Sequence, residues 1–284
     1  MFKAFGFVKR NLSLTHDEYR AAHAGYHNSF GRRLNNIRGY ILNVRSNHEL
    51  SSAYNGSSVL EKITIAEPNN FDDAWDGYGQ LNFDSYDDYI SARSPSLDRA
   101  GKHGLEYDPM VAKVGNDLEY LYSGSPFQFC VDEAVQVPVT RPEKKLFKLA
   151  QFVKAPANLS PILFRSYIAG KYCSALSVMP GLRGLVLNMR TPLDVMSGFF
   201  KPESEAFTDE GIVRRELFYS TWDGIIEYWF DDASDFFSGR ADQSLNPYLA
   251  KLESELFTAS FFREVDETVA VVPNRNPPVD FYFR

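Results

Sequence analysis

Histidine is the side chain best suited to moving protons near neutral pH. All five histidines, His16, His23, His27, His48 and His103, lie in the first half of the chain. His23 and His27 are four residues apart in a stretch that reads as a helix, so their rings share one helix face, with Tyr19 and Tyr26 within a turn. Such a pair beside an apolar pocket is an acid/base set, which makes His27 and His23 the candidate catalytic residues. The spacing also suits two metal ligands, but a third is required and neither His103 nor a carboxylate supplies one evidently, so no metal is expected. The alternative is that one ring packs or caps while the other faces solvent.

Five further residues make up a candidate substrate-binding set: Tyr40, Asn43, Tyr172, Asn188 and Glu227. Glu227 sits in an apolar run, where a carboxylate is costly unless paired, and Arg183 or Arg190 is the expected partner. It reads equally as a general base with a raised pKa or as half of a structural ion pair. Asn43 and Asn188 are placed to donate to a substrate oxyanion or to satisfy backbone groups. Tyr40 and Tyr172 reach a phenolic or keto oxygen, or simply pack. Asp76 and Asp223 each precede a glycine, where a turn or hydrogen-bonding role outweighs catalysis. There is no phosphate-binding glycine loop, dinucleotide fingerprint or serine elbow, so no nucleotide cofactor is expected; the leading reading carries no cofactor, and haem on one histidine is the alternative.

These residues need elements to hold them. Alternation predicts strands over Phe2 to Lys9, Gly39 to Arg45, Gly77 to Phe83 and Val131 to Val139, and again over Leu146 to Lys154, Gly184 to Arg190, Gly224 to Phe230 and Glu267 to Val272. Thr15 with Glu18 three residues on forms a capping box, and Ser160-Pro161 forms a cap with a proline at the first helical position. The helices that follow run to about Leu34 and Val178, and Asp84 and Asp231 open second helices.

The two sets match residue by residue. Phe2, Lys3 and Phe7 fall on Phe147, Lys148 and Phe152, and the same register pairs Arg38-Gly39 with Arg183-Gly184, Asn43 with Asn188 and His27 with Tyr172. After a two-residue slip, Trp75-Asp76-Gly77 falls on Trp222-Asp223-Gly224, and near the ends Val131-Asp132-Glu133 falls on Val265-Asp266-Glu267. We expect units at 1–140 and 145–284, joined through Pro142 and its charged neighbours, with an insertion near 94–126 in the first and an aromatic tail on the second that packs Phe281, Tyr282 and Phe283 onto the body. The order is βαββαβ twice. The expected fold class is α+β: two tandem ferredoxin-like units whose sheets cover each other as an intramolecular dimeric barrel with helices outside. This pairing favours a monomer, with a homodimer as the alternative.

The chain has 284 residues, a formal net charge of −7 and 15% aromatic residues. The charge and the lack of a basic stripe argue against nucleic acid. No apolar run suits a membrane span, and the start, MFKAFGFVKR, reads as a strand rather than a signal peptide, so a cytoplasmic protein is expected. Cys130 and Cys173 are too few for a disulfide framework and read as buried thiols.

Several segments resemble the EthD family of the dimeric α+β barrel superfamily: Leu14-Thr15-His16-Asp17-Glu18-Tyr19 followed by His27, then Trp222-Asp223-Gly224-Ile225-Ile226-Glu227-Tyr228-Trp229-Phe230-Asp231, and Val269-Ala270-Val271-Val272-Pro273. His27 stands at that family's histidine, but Asn28-Ser29 follows it in place of Gly-Pro. Tyr172 replaces the histidine in the second copy, and Gln80 stands where that copy keeps Glu227, which together imply one working site per chain. The resemblance implies pockets between sheet and helices, lined with apolar and aromatic groups. The superfamily hosts cyclases, dehydratases, isomerases, cofactor-free oxygenases and haem enzymes. The expected function is a cofactor-independent dehydratase, cyclase or carbon–carbon lyase using histidine acid/base chemistry on a bulky aromatic or polyketide-like substrate. The alternatives are a cofactor-free or haem-dependent monooxygenase and a non-catalytic ligand-binding module.

Overall fold

A computed structural model describes residues 1–32, 34, 36–54, 57–93, 120–141, 144–199 and 202–273. Most of the expected insertion, with His103, and the aromatic tail from 274 onward lie outside the described residues.

Eight strands form where alternation placed them: β1 (Phe2–Val8), β2 (Gly39–Arg45), β3 (Gly77–Phe83), β4 (Phe127–Val137), β5 (Phe147–Lys154), β6 (Leu182–Arg190), β7 (Gly224–Phe230) and β8 (Ala259–Val271). Their arrangement corrects the expected fold. They make one closed barrel in the order β1-β3-β2-β8-β5-β7-β6-β4, with every neighbouring pair antiparallel. The α+β class of two tandem ferredoxin-like units, each with its own sheet, is thus replaced by a single antiparallel β-barrel with short helices around it.

The cause lies in β4 and β8, which are longer than the segments assigned to them. β4 pairs with β1 through Phe127–Val131 and continues onto β6 from Val131 to Val137. β8 pairs with β5 through Ala259–Val265 and continues onto β2 from Val265 to Val271. Each long strand therefore closes a seam. Closure leaves no edge of unpaired N–H and C=O groups, which two open sheets laid face to face would keep.

The helix over the first strands is likewise shorter and less regular than expected. Thr15 makes the predicted capping box with Glu18. An α-helical segment His16–Ala21 then passes into a π-helical turn, Ala22–His27, and ends with Asn28–Gly31. The second half repeats this form, with Pro161–Tyr167 capped by Ser160, a π turn Ile168–Cys173, and Ser174–Leu176. No described helix is long and apolar enough to cross a membrane. Cys130 and Cys173 are free and buried.

The barrel interior has an aromatic end and a polar end. At the aromatic end Phe7 stacks on Tyr78 with centroids 4.8 Å apart, Phe152 stacks on Phe261 at 5.4 Å, and Phe129 and Trp222 meet at 4.8 Å. Such pairs favour offset or edge geometries and bury large apolar areas.

Candidate active site

The seven candidate residues divide among three places. His23, His27 and Tyr40 lie between the outer face of the barrel and the first helix. Asn43, Asn188 and Glu227 lie in the polar end of the barrel interior. Tyr172 lies outside the barrel on the second half.

In the first place, Tyr19, His23 and His27 form a column along one helix face. The Tyr19 and His23 ring centroids are 5.1 Å apart, and those of His23 and His27 are 5.4 Å apart with the planes 5° from parallel. Tyr26, expected on this face, is 43% exposed instead. His23 is only 2% exposed. Its Nδ1 is 2.8 Å from the Tyr122 hydroxyl, whose ring stands edge-on to both histidines. Its Nε2 has no hydrogen-bond partner among the described residues. Burial pushes the His23 pKa well below its ordinary value, and the neighbouring His27 pushes it the same way. His23 is therefore a neutral imidazole at pH 7, with one nitrogen oriented and the other available.

The sheet beneath this column is floored with small residues. Tyr19 approaches Gly77 so closely that a Cβ there would stand 2.6 Å from its hydroxyl oxygen. At the other end of the helix, a Cβ on Gly31 would fall on the Tyr40 ring. Ala4, Gly6 and Gly79 also stand on this face of the sheet, with the Gln128 side chain against Gly6 and those of Leu42 and Tyr40 beside Gly79. Gly6 and Gly79 are cross-strand partners and the one residue each of β1 and β3 that is partly exposed. In the matched register Leu149, Gln151 and Ile226 take these positions in the second half, where all three are buried.

That second half is filled. Tyr172, which matches His27, is fully buried and donates to Glu253 Oε1 at 2.6 Å, while Gln151 Nε2 donates to the Tyr172 hydroxyl at 3.1 Å. Arg240 donates to both Glu253 oxygens, at 2.8 and 3.0 Å. The helix Asn246–Leu256 supplies Glu253 and closes over the pocket position.

The group of Asn43, Asn188 and Glu227 belongs to a buried ionic network. Glu227 is 2.7 Å from Lys148 Nζ, with side chains 1% and 0% exposed. This corrects the expected pairing with Arg183 or Arg190. Arg183 binds Asp231, and Arg190 lies over Tyr219 and Trp222. Tyr78, Gln80 and Asn188 also donate to Glu227, at 2.9, 2.6 and 3.0 Å. Lys148 reaches Glu267 and Asn43 at 3.0 and 2.7 Å, and Lys3 reaches Glu133 and Asn188 at 2.5 and 2.9 Å. Arg141 completes the set on Glu267 at 3.1 Å. Burial alone would raise the Glu227 pKa, but Lys148 and Lys3 outweigh it and hold the carboxyl below its ordinary value. Asn43 and Asn188 accept from Lys148 and Lys3, and Glu227 is the centre of a charge-balanced network with a lowered rather than a raised pKa. Asp76 and Asp223 take the expected hydrogen-bonding role, accepting from the backbone N–H of Arg10, just after β1, and of Ala155, just after β5.

Sequence reasoning missed Tyr122 and the two lysines. Tyr122 lies 99 residues from His23 at the end of the expected insertion, and no local pattern connects them. Lys3 and Lys148 were visible as a matched pair inside apolar strands, the same signal that singled out Glu227.

A cleft of about 640 Å³ lies elsewhere, lined by Arg45, His48, Leu50 and Glu264 among others, and includes none of the seven candidates.

No family model and no curated protein sequence matches the chain. Solved structures do. A Lactobacillus acidophilus protein provisionally named a monooxygenase aligns with TM-score 0.46 and 9% identity over 96% of each chain. An anthrone oxidase-like protein aligns with TM-score 0.49 and 6% identity over 98% of this chain and 96% of its own. A Fusobacterium nucleatum protein, also provisionally named a monooxygenase, aligns with TM-score 0.52 and 7% identity over 94% of this chain and 92% of its own, and with that protein this chain shares its overall fold.

Proposed function

We propose that the chain is a cofactor-free monooxygenase acting on a flat aromatic substrate that carries an acidic C–H beside a carbonyl. The observation that carries this reading is the buried, neutral His23, held at Nδ1 by Tyr122 and available at Nε2. The name of the Fusobacterium protein that shares the fold favours oxygenation over the dehydratase, cyclase or lyase reading. Tyr122 accepts from Nδ1–H in this scheme, which leaves the Nε2 lone pair as the base.

Nε2 takes the proton from the substrate CH2. The resulting carbanion, stabilised by its aromatic carbonyl, gives an electron to O2, and the radical pair joins as a C–O bond. The peroxide takes the proton back from the imidazolium. Removal of the second C–H proton then breaks the O–O bond, and the products are a ketone and water. One CH2 and one O2 thus become one C=O and one H2O. A site shielded from bulk water keeps the base neutral and the carbanion from simple reprotonation.

Oxygen-electrode measurements with a panel of polycyclic aromatic ketones test this. One O2 consumed per ketone formed, lost in His23→Ala, is the expected result. Turnover without oxygen uptake would return the protein to the lyase or cyclase reading. A Soret band in the purified protein would assign it to haem chemistry, and full turnover in both His23→Ala and His27→Ala would remove the histidines from the reaction.

A further inference from the structure

The buried lysines carry a chemistry that the histidine column does not use. Lys3 on β1 reaches into the barrel interior, where its Nζ meets side chains from two other strands. Glu133 of β4 is 2.5 Å away, and Oδ1 of Asn188 on β6 is 2.9 Å away. Glu133 and Asn188 are cross-strand partners, so strand pairing puts both against the one amine. Lys3 and Asn188 are 4% and 0% exposed. The Asn188 amide nitrogen in turn donates to Oε2 of Glu227 at 3.0 Å. An amine and a carboxamide are thus in contact away from water, each with a carboxylate of its own.

These are the groups needed to join a lysine to an asparagine. An amine attacks an amide only in its neutral form, and a carboxylate at hydrogen-bond distance can take its proton. Burial favours that transfer, since the neutral pair needs no solvation. The carbon to be attacked, Cγ, lies one bond of about 1.2 Å beyond Oδ1. A turn of the amide therefore brings carbon to nitrogen without moving a strand. Groups held in near-attack geometry react with effective concentrations of about 10⁵–10⁸ M, which is what lets so unreactive an acceptor as an amide be used.

We propose that Lys3 and Asn188 condense into an isopeptide bond that ties β1 to β6 across β4. One Nζ proton passes to Glu133, and the freed lone pair attacks Cγ. A second Nζ proton passes to Nδ2, the nitrogen that Glu227 positions. The Cγ–Nδ2 bond then breaks and ammonia leaves. One amide replaces another, and nothing is oxidised or reduced. Glu133 keeps the first proton, so the charge balance of the network is preserved. The bond is independent of the histidine column and of the reaction assigned to it.

The matched pair in the other half is not equivalent. Lys148 donates to Asn43, but its amine is shared between Glu227 and Glu267. The Asn43 amide nitrogen faces the backbone carbonyl of Tyr78 at 3.4 Å, so no carboxylate positions the leaving nitrogen. One bond per chain is expected rather than two.

The intact mass of the denatured full chain tests this. The expected value lies below that of the sequence by one ammonia, about 17 Da. A tryptic digest is expected to contain residues 1–9 joined to residues 184–190, since trypsin does not cut after a lysine held in an amide. Lys3→Arg is expected to restore the full mass, and so is Glu133→Gln with its fold verified by circular dichroism. A natural chain at the full sequence mass, even after prolonged incubation at neutral pH, would overturn the proposal. So would a loss of ammonia that persists in Lys3→Arg, a folded Glu133→Gln that still forms the bond, or a loss of two ammonias with Lys148 joined to Asn43.

Discussion

Gln80 donates through Nε2 to Oε1 of Glu227 at 2.6 Å inside the barrel, and the two residues hold matched positions in the two halves of the sequence. The amide explains the departure between the halves. Lys3, Lys148 and Arg141 balance Glu133, Glu227 and Glu267, and a carboxylate at position 80 would face Glu227 with no cation left to offset it.

Gln80→Glu is therefore expected to destabilise the fold with a distinct pH signature. Burial and the like charge of Glu227 raise the new carboxyl's pKa in the folded state. A raised group is harmless below its unfolded value of ~4.3 and costs increasing stability as pH climbs above it. Urea midpoints at pH 5 and pH 8 check this: the deficit relative to the natural chain grows with pH.

Glu227 itself has the opposite sign. Its pKa is lowered in the fold, as is that of Glu267, where burial is outweighed by Lys148 and Arg141. Both carboxylates contribute their full stability above ~4.3, and that contribution is lost as pH falls through their lower folded values. Lys148→Met removes the ion-pair partner of Glu227 and leaves the buried network with one excess negative charge, and is expected to cost about 3–5 kcal/mol, measured by urea unfolding at pH 7. An unchanged midpoint would show the network to be energetically idle.

His23→Ala is expected to lower turnover by about 10²–10⁴-fold, the range for a general base. Since burial and His27 depress the His23 pKa, the base of the proposed reaction is neutral at pH 7, and the acid limb of the kcat/KM profile is expected below ~6.5. A limb above that value would point to another group.

Tyr122→Phe keeps the ring that stands against both histidines and removes the hydroxyl that holds Nδ1. A buried nitrogen without its partner costs about 1–3 kcal/mol, and the imidazole is freed to adopt the tautomer with hydrogen on Nε2. The expected outcome is a lower kcat with an altered pH profile and little change in KM. Unchanged kinetics would mean that Tyr122 packs without orienting.

Local physics made much of this protein legible in its sequence. Alternation located all eight strands, and Thr15 with Glu18 marked the helix start, because side-chain period and capping depend on residues a few positions apart. The matched register placed Lys3 opposite Lys148 in kind and Gln80 opposite Glu227. What the tertiary structure alone decided depends on contacts distant in sequence. β8 is shared between β5 and β2 and β4 between β1 and β6, which turns two expected sheets into one closed barrel. Lys148 rather than an arginine reaches Glu227, because strand pairing points both into the same interior. Tyr122, 99 residues away, sets the nitrogen of His23, and Asp72 joins Arg45 to Arg263 across a seam no local pattern encodes. Periodicity states which face of a strand is buried, whereas ring closure and side-chain partners are fixed only when the strands pair.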